Sequence, residues 1–201
     1  MFITFEGTEG SGKSTLIRTL SEKLTLAGID HITTREPGGT SVAEGIRKVI
    51  LDHEMGSLTE LFLYEAARAE HFEKTVLPAL KKKQIVLCDR FTDSTIAYQG
   101  FARKLNLKLI DQLNKIATHS RAPDLTFFLD IPVEQGLARA TNPNRFENEG
   151  LAFQKTVRRG FLYSIKKHPR RWRVLKVAKK TPDQLADEVL AQMRLRSKGR
   201  K

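Results

Sequence analysis

The chain has 201 residues, 40% of them hydrophobic, a formal charge of +12 and one cysteine, Cys88. This length, without a Pro/Gly/Ser-rich linker, suits a single domain over residues 1–201 with a sizeable core. A lone cysteine excludes an internal disulfide and a cysteine-based metal cluster, and the lack of a charged leader or long apolar stretch predicts a soluble cytoplasmic protein with no membrane partner.

In chain order, Phe2–Phe5 reads as a strand and runs into Gly7-Thr8-Glu9-Gly10-Ser11-Gly12-Lys13-Ser14. A helical pattern follows, with Leu16, Leu20 and Leu24 on one stripe and a stop at Gly28. His31–Thr34 is the second strand, followed by the polar cluster Arg35-Glu36-Pro37-Gly38-Gly39 and a helix marked by Val42, Ile46, Val49 and Ile50. Gln84–Cys88 is a third strand, with Cys88 as a core residue and Asp89-Arg90 at its end. Leu125–Asp130 and Arg173–Val177 complete the strands, and Thr181-Pro182-Asp183-Gln184 has the form of a capping box with proline at N1. Strands alternating with helices imply an α/β fold in three layers, a five-stranded parallel sheet flanked by helices. The three polar clusters lie at carboxyl ends of strands, where open α/β sheets bind ligands.

The octet fits G-x-x-x-x-G-K-[ST], the phosphate-cradling loop of nucleoside triphosphate enzymes. Gly7, Gly10 and Gly12 free the backbone for N–H groups to wrap a polyphosphate, together with Thr8, Glu9, Ser11 and Thr15 around the same loop. Lys13 supplies a mobile positive charge, Ser14 offers a hydroxyl to Mg²⁺, and the following helix adds its N-terminal dipole. A switch GTPase is disfavoured, because the one Asn-Lys pair, Asn114-Lys115, continues as Ile116-Ala117 rather than x-Asp.

Two further clusters, Thr34–Gly39 and Asp89-Arg90-Phe91-Thr92-Asp93-Ser94-Thr95-Ile96-Ala97-Tyr98-Gln99-Gly100, together with Phe2–Ser14 resemble the thymidylate kinase family. The resemblance extends through Ala66–His71 and Arg121–Asp130. It implies a P-loop kinase fold and transfer of the ATP γ-phosphoryl to dTMP, in dTTP synthesis. It also implies that Arg68 and Arg90 hold the acceptor nucleotide, with Arg35 near its phosphate and Pro37 beside it. Arginine suits that role because its planar fork matches phosphate oxygens. Glu9 falls where the family has an acidic residue near the sugar and metal, and Asp89 falls where a carboxylate supports Mg²⁺ with Ser14. Tyr64 stands where the family usually has phenylalanine stacked on the base, and Thr95, Tyr98 and Gln99 resemble the base and sugar contacts.

Gly10 occupies the loop position at which some members of that family carry an arginine, so the chain resembles the type with a catalytic arginine in a lid. The lid is expected around residues 139–150, where Asn144-Arg145-Phe146-Glu147 resembles D-R-x-E behind a short Ala140-Thr141-Asn142-Pro143. Arg145 is the preferred catalytic arginine and Arg139 the next, with Arg158 and Arg159 further candidates. Resemblance also implies a homodimer, through an apolar helix face such as Thr59–Ala69.

Residues 151–201 carry 16 Lys/Arg against 3 Asp/Glu. That excess fits substrates that are phosphate anions; no zinc pattern or aromatic-rich basic stretch accompanies it to favour nucleic acid. The basic tail 194–201 is expected to fray.

Overall fold

Side chains alternating along five short strands put one apolar row on each face of a parallel sheet. In the computed structural model, which describes residues 1–139 and 145–198, these are β1 (Phe2–Glu6), β2 (His31–Arg35), β3 (Ile85–Asp89), β4 (Leu125–Asp130) and β5 (Trp172–Lys176). Every predicted strand lies within one residue of its expected bounds. Their order is β2-β3-β1-β4-β5, so the first strand is central and its carboxyl end faces both neighbours' loops.

On one face Ile3, Phe5, Leu87, Phe127 and Leu129 pack beneath Leu16, Leu20 and Leu24 of α1 (Lys13–Leu26) and Leu185 and Val189 of α10 (Pro182–Lys198). Each such leucine or phenylalanine withdraws enough apolar surface to stabilise the fold by about 1.5–3 kcal/mol. On the other face Phe2, Val86 and Cys88 meet Phe72 and Phe91, while Phe128 and Trp172 meet Phe161 of α9 (Gly150–Lys167). Cys88 is fully buried, as expected of a core residue.

The stripe Val42, Ile46, Val49 and Ile50 does not face the core as a unit. α2 (Ser41–Asp52) packs chiefly on α3 (Ser57–His71), so Ile50 is buried while Val42 and Val49 are 54% and 44% exposed. They share the surface with Leu58 and Phe62 of α3, 46% and 51% exposed.

α3 continues through a π-helical stretch, Phe72–Val76, into α4 (Leu77–Lys81). A second π-helical stretch, Ile96–Ala102, extends α5 (Thr92–Thr95) and is followed by α6 (Leu107–Ala117). α7 (Val133–Ala138) and α8 (Arg145–Asn148) flank residues 140–144 of the predicted lid, which lie outside the described residues. The predicted capping box closes on α10: Thr181 N donates to Gln184 Oε1 at 2.9 Å and Gln184 N to Thr181 Oγ1 at 3.2 Å. α10 runs to Lys198, so the tail expected to fray is helical that far; residues 199–201 lie outside the described residues.

Candidate active site

β1, β2 and β3 end side by side, and the loop that leaves each of them contributes to one cleft. A cavity of about 760 Å³ is lined by Glu9–Thr15 after β1, Arg35 after β2, Asp89 and Arg90 at the end of β3, and Arg139 after α7. Its far wall, Val177, Pro182 and Leu185, is mainly apolar. A narrower cavity of about 70 Å³ adjoins it, lined by Pro37, Tyr64, Arg68, Thr95, Tyr98, Gln99 and Phe146. Glu9, Glu36, Arg47 and Arg90 border both.

The glycine loop takes its shape from Gly10. Its φ of +65° is left-handed, and a Cβ there would sit 1.8 Å from the carbonyl oxygen of Gly136 on α7. A Cβ on Gly136 would in turn lie 2.4 Å from the Glu9 oxygen. Two facing glycines thus let α7 touch the loop, and an arginine at position 10 has no room. Lys13 Nζ reaches back to the carbonyls of Gly7 and Thr8, both at 3.2 Å, and to Ser11 Oγ at 3.3 Å. Burial, then the neighbouring Arg90 charge, pull the Lys13 pKa below its ordinary value.

Arg90 has φ +68°, a strained conformation for a side-chain-bearing residue. Its guanidinium lies 5.1 Å from the Tyr98 ring centroid and donates to Gly7 O at 3.2 Å and Glu9 Oε1 at 2.6 Å. Tyr98 donates to the same oxygen at 2.7 Å. Burial opposes ionisation of Glu9, but Arg90 and Lys13 outweigh it and hold the carboxyl below its usual range. Glu9 thus borders both cavities with its carboxylate held by Arg90 and Tyr98.

Ser14 donates to Asp89 Oδ2 at 2.9 Å, while Asp89 Oδ1 is buried without a hydrogen-bond partner. A hydroxyl beside a carboxylate with one orphaned oxygen is the hard-oxygen donor set that Mg²⁺ takes together with phosphate. Among the described residues no cluster of three His, Cys, Asp or Glu offers a metal cage, so the fit rests on Ser14 and Asp89 alone.

Arg68 is 1% exposed. It donates to Glu36 at 2.8 Å through Nε, and through Nη1 to Glu65 at 2.8 Å and Asn114 at 2.9 Å. Gln99 donates to the buried Glu60 at 2.8 Å, and Thr95 Oγ1 is buried without a partner at the narrower cavity. Arg35, half exposed, pairs with Glu44 at 2.8 Å.

The lid arginines separate. Arg139 lines the large cavity, whereas Arg145 is engaged with the Glu60 carboxylate, and its guanidinium carbon lies 4.7 Å from the Phe146 ring centroid. Arg158 is tied to Asp130 at 2.8 Å and Arg159 to Thr156 at 2.9 Å.

Comparison with known proteins decides between kinds of P-loop enzyme. The family model described as thymidylate kinase matches residues 5–189. The chain belongs to the thymidylate kinase family. It is 42% identical to the thymidylate kinase of Desulfovibrio desulfuricans and 45% identical to that of Pseudomonas fluorescens, in each case over 99% of both chains. The crystal structure of thymidylate kinase from Ehrlichia chaffeensis superposes with a TM-score of 0.80 at 38% identity, covering 96% of this chain and 98% of that one.

Within this thymidylate kinase fold two residues bordering the cavities, and one buried behind them, escaped sequence reasoning. Arg47 donates to Pro37 O at 3.0 Å and borders both cavities, yet in sequence it is one cation among many on a surface helix. Phe146 is 4% exposed and its ring centroid lies 6.4 Å from Tyr64 and 5.7 Å from Tyr98. Glu60 accepts from Gln99, Arg103 and Arg145, three donors from separate segments. Its position two turns before Arg68, on the helix whose Thr59–Ala69 face was expected to carry a dimer contact, was the one available signal.

Proposed function

We propose that this chain transfers the γ-phosphoryl group of ATP to dTMP, giving dTDP and ADP, for dTTP synthesis in the cytoplasm. The observation that carries this reading is the Glu9–Arg90–Tyr98 cluster at the mouth shared by the two cavities, one cradled by a phosphate loop and the other lined by aromatic and amide side chains.

The acceptor phosphate is already anionic near neutral pH, so no general base is needed; alignment and charge stabilisation carry the catalysis. The loop N–H groups from Gly7 to Thr15 cradle the ATP phosphates, with Lys13 released from its own loop carbonyls onto phosphate oxygens. The apolar wall of Val177, Pro182 and Leu185 receives the adenine. Arg35, Arg47 and Arg90 fix the acceptor phosphate between the two cavities. Arg139, free to reach the phosphates from the end of α7, stabilises the spreading charge in place of Arg145. Ser14 and Asp89 would hold Mg²⁺, which neutralises phosphate charge when bound.

Thymine stacks on the Tyr64 ring, Arg68, Thr95 and Gln99 supply polar contacts to its edge, and the Tyr98 ring sits against the deoxyribose. The 70 Å³ cavity is smaller than the roughly 300 Å³ at which small-molecule sites begin, so acceptor entry displaces Phe146 and α8. Return of that segment excludes water and limits ATP hydrolysis. The chain forms a homodimer through the exposed apolar patch of Val42, Val49, Leu58 and Phe62; sedimentation as a monomer at micromolar concentration would reject this.

Initial rates of ADP release with Mg-ATP and dTMP, dUMP, CMP, UMP or GMP test the reading. Strong preference for dTMP is expected. Preference for another monophosphate would reassign Tyr64 and Tyr98, and silence with all five would overturn the proposal.

A further inference from the structure

A second cavity, of about 520 Å³, lies behind the acceptor site, between α6, the start of α5 and the loops that lead into β4 and β5. That volume falls within the roughly 300–1,000 Å³ of small-molecule sites. Its lining holds five permanent cations and two carboxylates. Both carboxylates are already matched: fully buried Asp93 takes the fork of Arg171 at 2.7 and 2.8 Å, and Asp111 pairs with Lys115 at 2.7 Å. The surplus is Lys167, at the end of α9, and Arg170, in the loop after it; Arg121, on the loop before β4, is also exposed and reaches Asp124 at 3.4 Å, leaving most of its fork toward the hollow.

Cations at helix ends ordinarily serve the helix dipole, which accounts for Lys115 in the last turn of α6 and Lys167 in the last turn of α9. It does not account for Arg121 and Arg170, which lie beyond those helices and converge on the same hollow. Among the described residues Arg170 has no ion-pair partner. Hydroxyl and amide groups of Thr118, Ser120 and Asn114 also line it, beside apolar Ile96, Pro123 and Pro169. Guanidinium forks around a concave site of this size suit an anion bearing several phosphate oxygens.

The floor of this cavity touches the wall of the acceptor site. Asn114, 5% exposed, accepts from Arg68 Nη1 at 2.9 Å and reaches Thr92 O at 3.5 Å. Arg68 in turn lines the acceptor cavity. A parallel link runs through Arg171: the Asp93 it holds adjoins Ser94, whose hydroxyl accepts from Arg90 at 3.3 Å and borders the acceptor cavity. A buried hydrogen bond and a pair of neighbouring residues thus connect a cationic hollow to Arg68 and Arg90 of the acceptor site.

We propose that the cavity bordered by Asn114, Arg121, Lys167 and Arg170 binds a polyphosphate-bearing anion and adjusts acceptor affinity through the Asn114–Arg68 contact. The coupling rests on the function proposed above; the binding does not.

The test is calorimetric titration of inorganic tripolyphosphate, and separately dTTP, into enzyme saturated with Mg-ADP and dTMP, so that the catalytic cleft is filled. One further site is expected, weakened by about tenfold or more in Lys167→Glu/Arg170→Glu, with Arg121→Gln as an independent second variant. Equal affinity for both probes means that phosphates alone are read; tighter dTTP means that the nucleoside is read too. The bound anion should change the KM for dTMP about threefold or more at constant kcat, and the variants, active and with unaltered thermal unfolding in its absence, should lose that response. No heat with the saturated enzyme, or unchanged affinity in the variants, overturns the site. Binding without a change in KM overturns the coupling, and absence of basal dTMP turnover indicts the proposed function instead.

Discussion

The guanidinium of Arg145, on the short helix α8, is held by the carboxylate of Glu60, which is 1% exposed on α3. The same carboxylate accepts from Gln99 Nε2 at 2.8 Å, so one buried anion grips both a lid residue and a residue of the acceptor cavity. We propose on this contact that Arg145 is a positioning residue for the acceptor side, with its neighbour Phe146 against Tyr64 and Tyr98. Arg145→Ala should therefore raise the KM for dTMP by about 10- to 100-fold, the effect of about 1.5–3 kcal/mol for a charge-assisted contact, with a smaller effect on kcat. A kcat collapse at unchanged KM would refute that role.

Arg139 should behave in the opposite way. Its removal by Arg139→Ala is expected to lower kcat by about 10³- to 10⁵-fold while leaving the KM for dTMP within a few-fold. Single-turnover rates for the two variants side by side separate the roles, and full activity in Arg139→Ala would return the catalytic task to another arginine.

The facing glycines offer a test of what places Arg139. In Gly136→Ala the new Cβ meets the Glu9 carbonyl oxygen at 2.4 Å and pushes α7 off the loop. A displacement near 1 Å would cost about 10²-fold in kcat. Retained kcat would show that the contact between loop and helix is dispensable.

Much of this was legible in the sequence. All five strands and the phosphate loop follow from apolar runs and glycine spacing, because those are local signals. The Arg145–Glu60 contact was not legible, since a motif reveals which residue types are near a site but not that a buried carboxylate 85 positions away claims the guanidinium. Arg47 was missed for a related reason: its proximity to both cavities comes from α2 resting on α3, a tertiary relationship that also left Val42 and Val49 exposed where periodicity predicted a core stripe.

Asp89 carries a prediction about metal. Asp89→Asn keeps the shape and a partner for Ser14 but removes the charge, and should raise the Mg²⁺ concentration needed for half-maximal turnover by about 10- to 100-fold. Magnesium titrations of the initial rate check this; superimposable curves would remove Asp89 from metal support.

Stability should depend on Glu6. Burial, then the nearby Asp93 charge, push its pKa from 4.5 up to about 8. The native state thus holds a proton that the unfolded chain releases near pH 4.5, so stability declines as pH rises from about 4.5 to 8 and this contribution levels off above that. In Glu6→Gln the thermal midpoint should decline less steeply across that window. Parallel slopes for the two proteins would mean that Glu6 does not titrate as stated.

The most direct test of the central claim follows the phosphoryl group itself. ATP labelled at its γ-phosphate is mixed with the enzyme, Mg²⁺ and equal amounts of dTMP, dUMP, CMP, UMP and GMP, and the products are separated. The label should appear in dTDP, with little in inorganic phosphate or the other diphosphates; label only in inorganic phosphate, or mainly in another diphosphate, would contradict it.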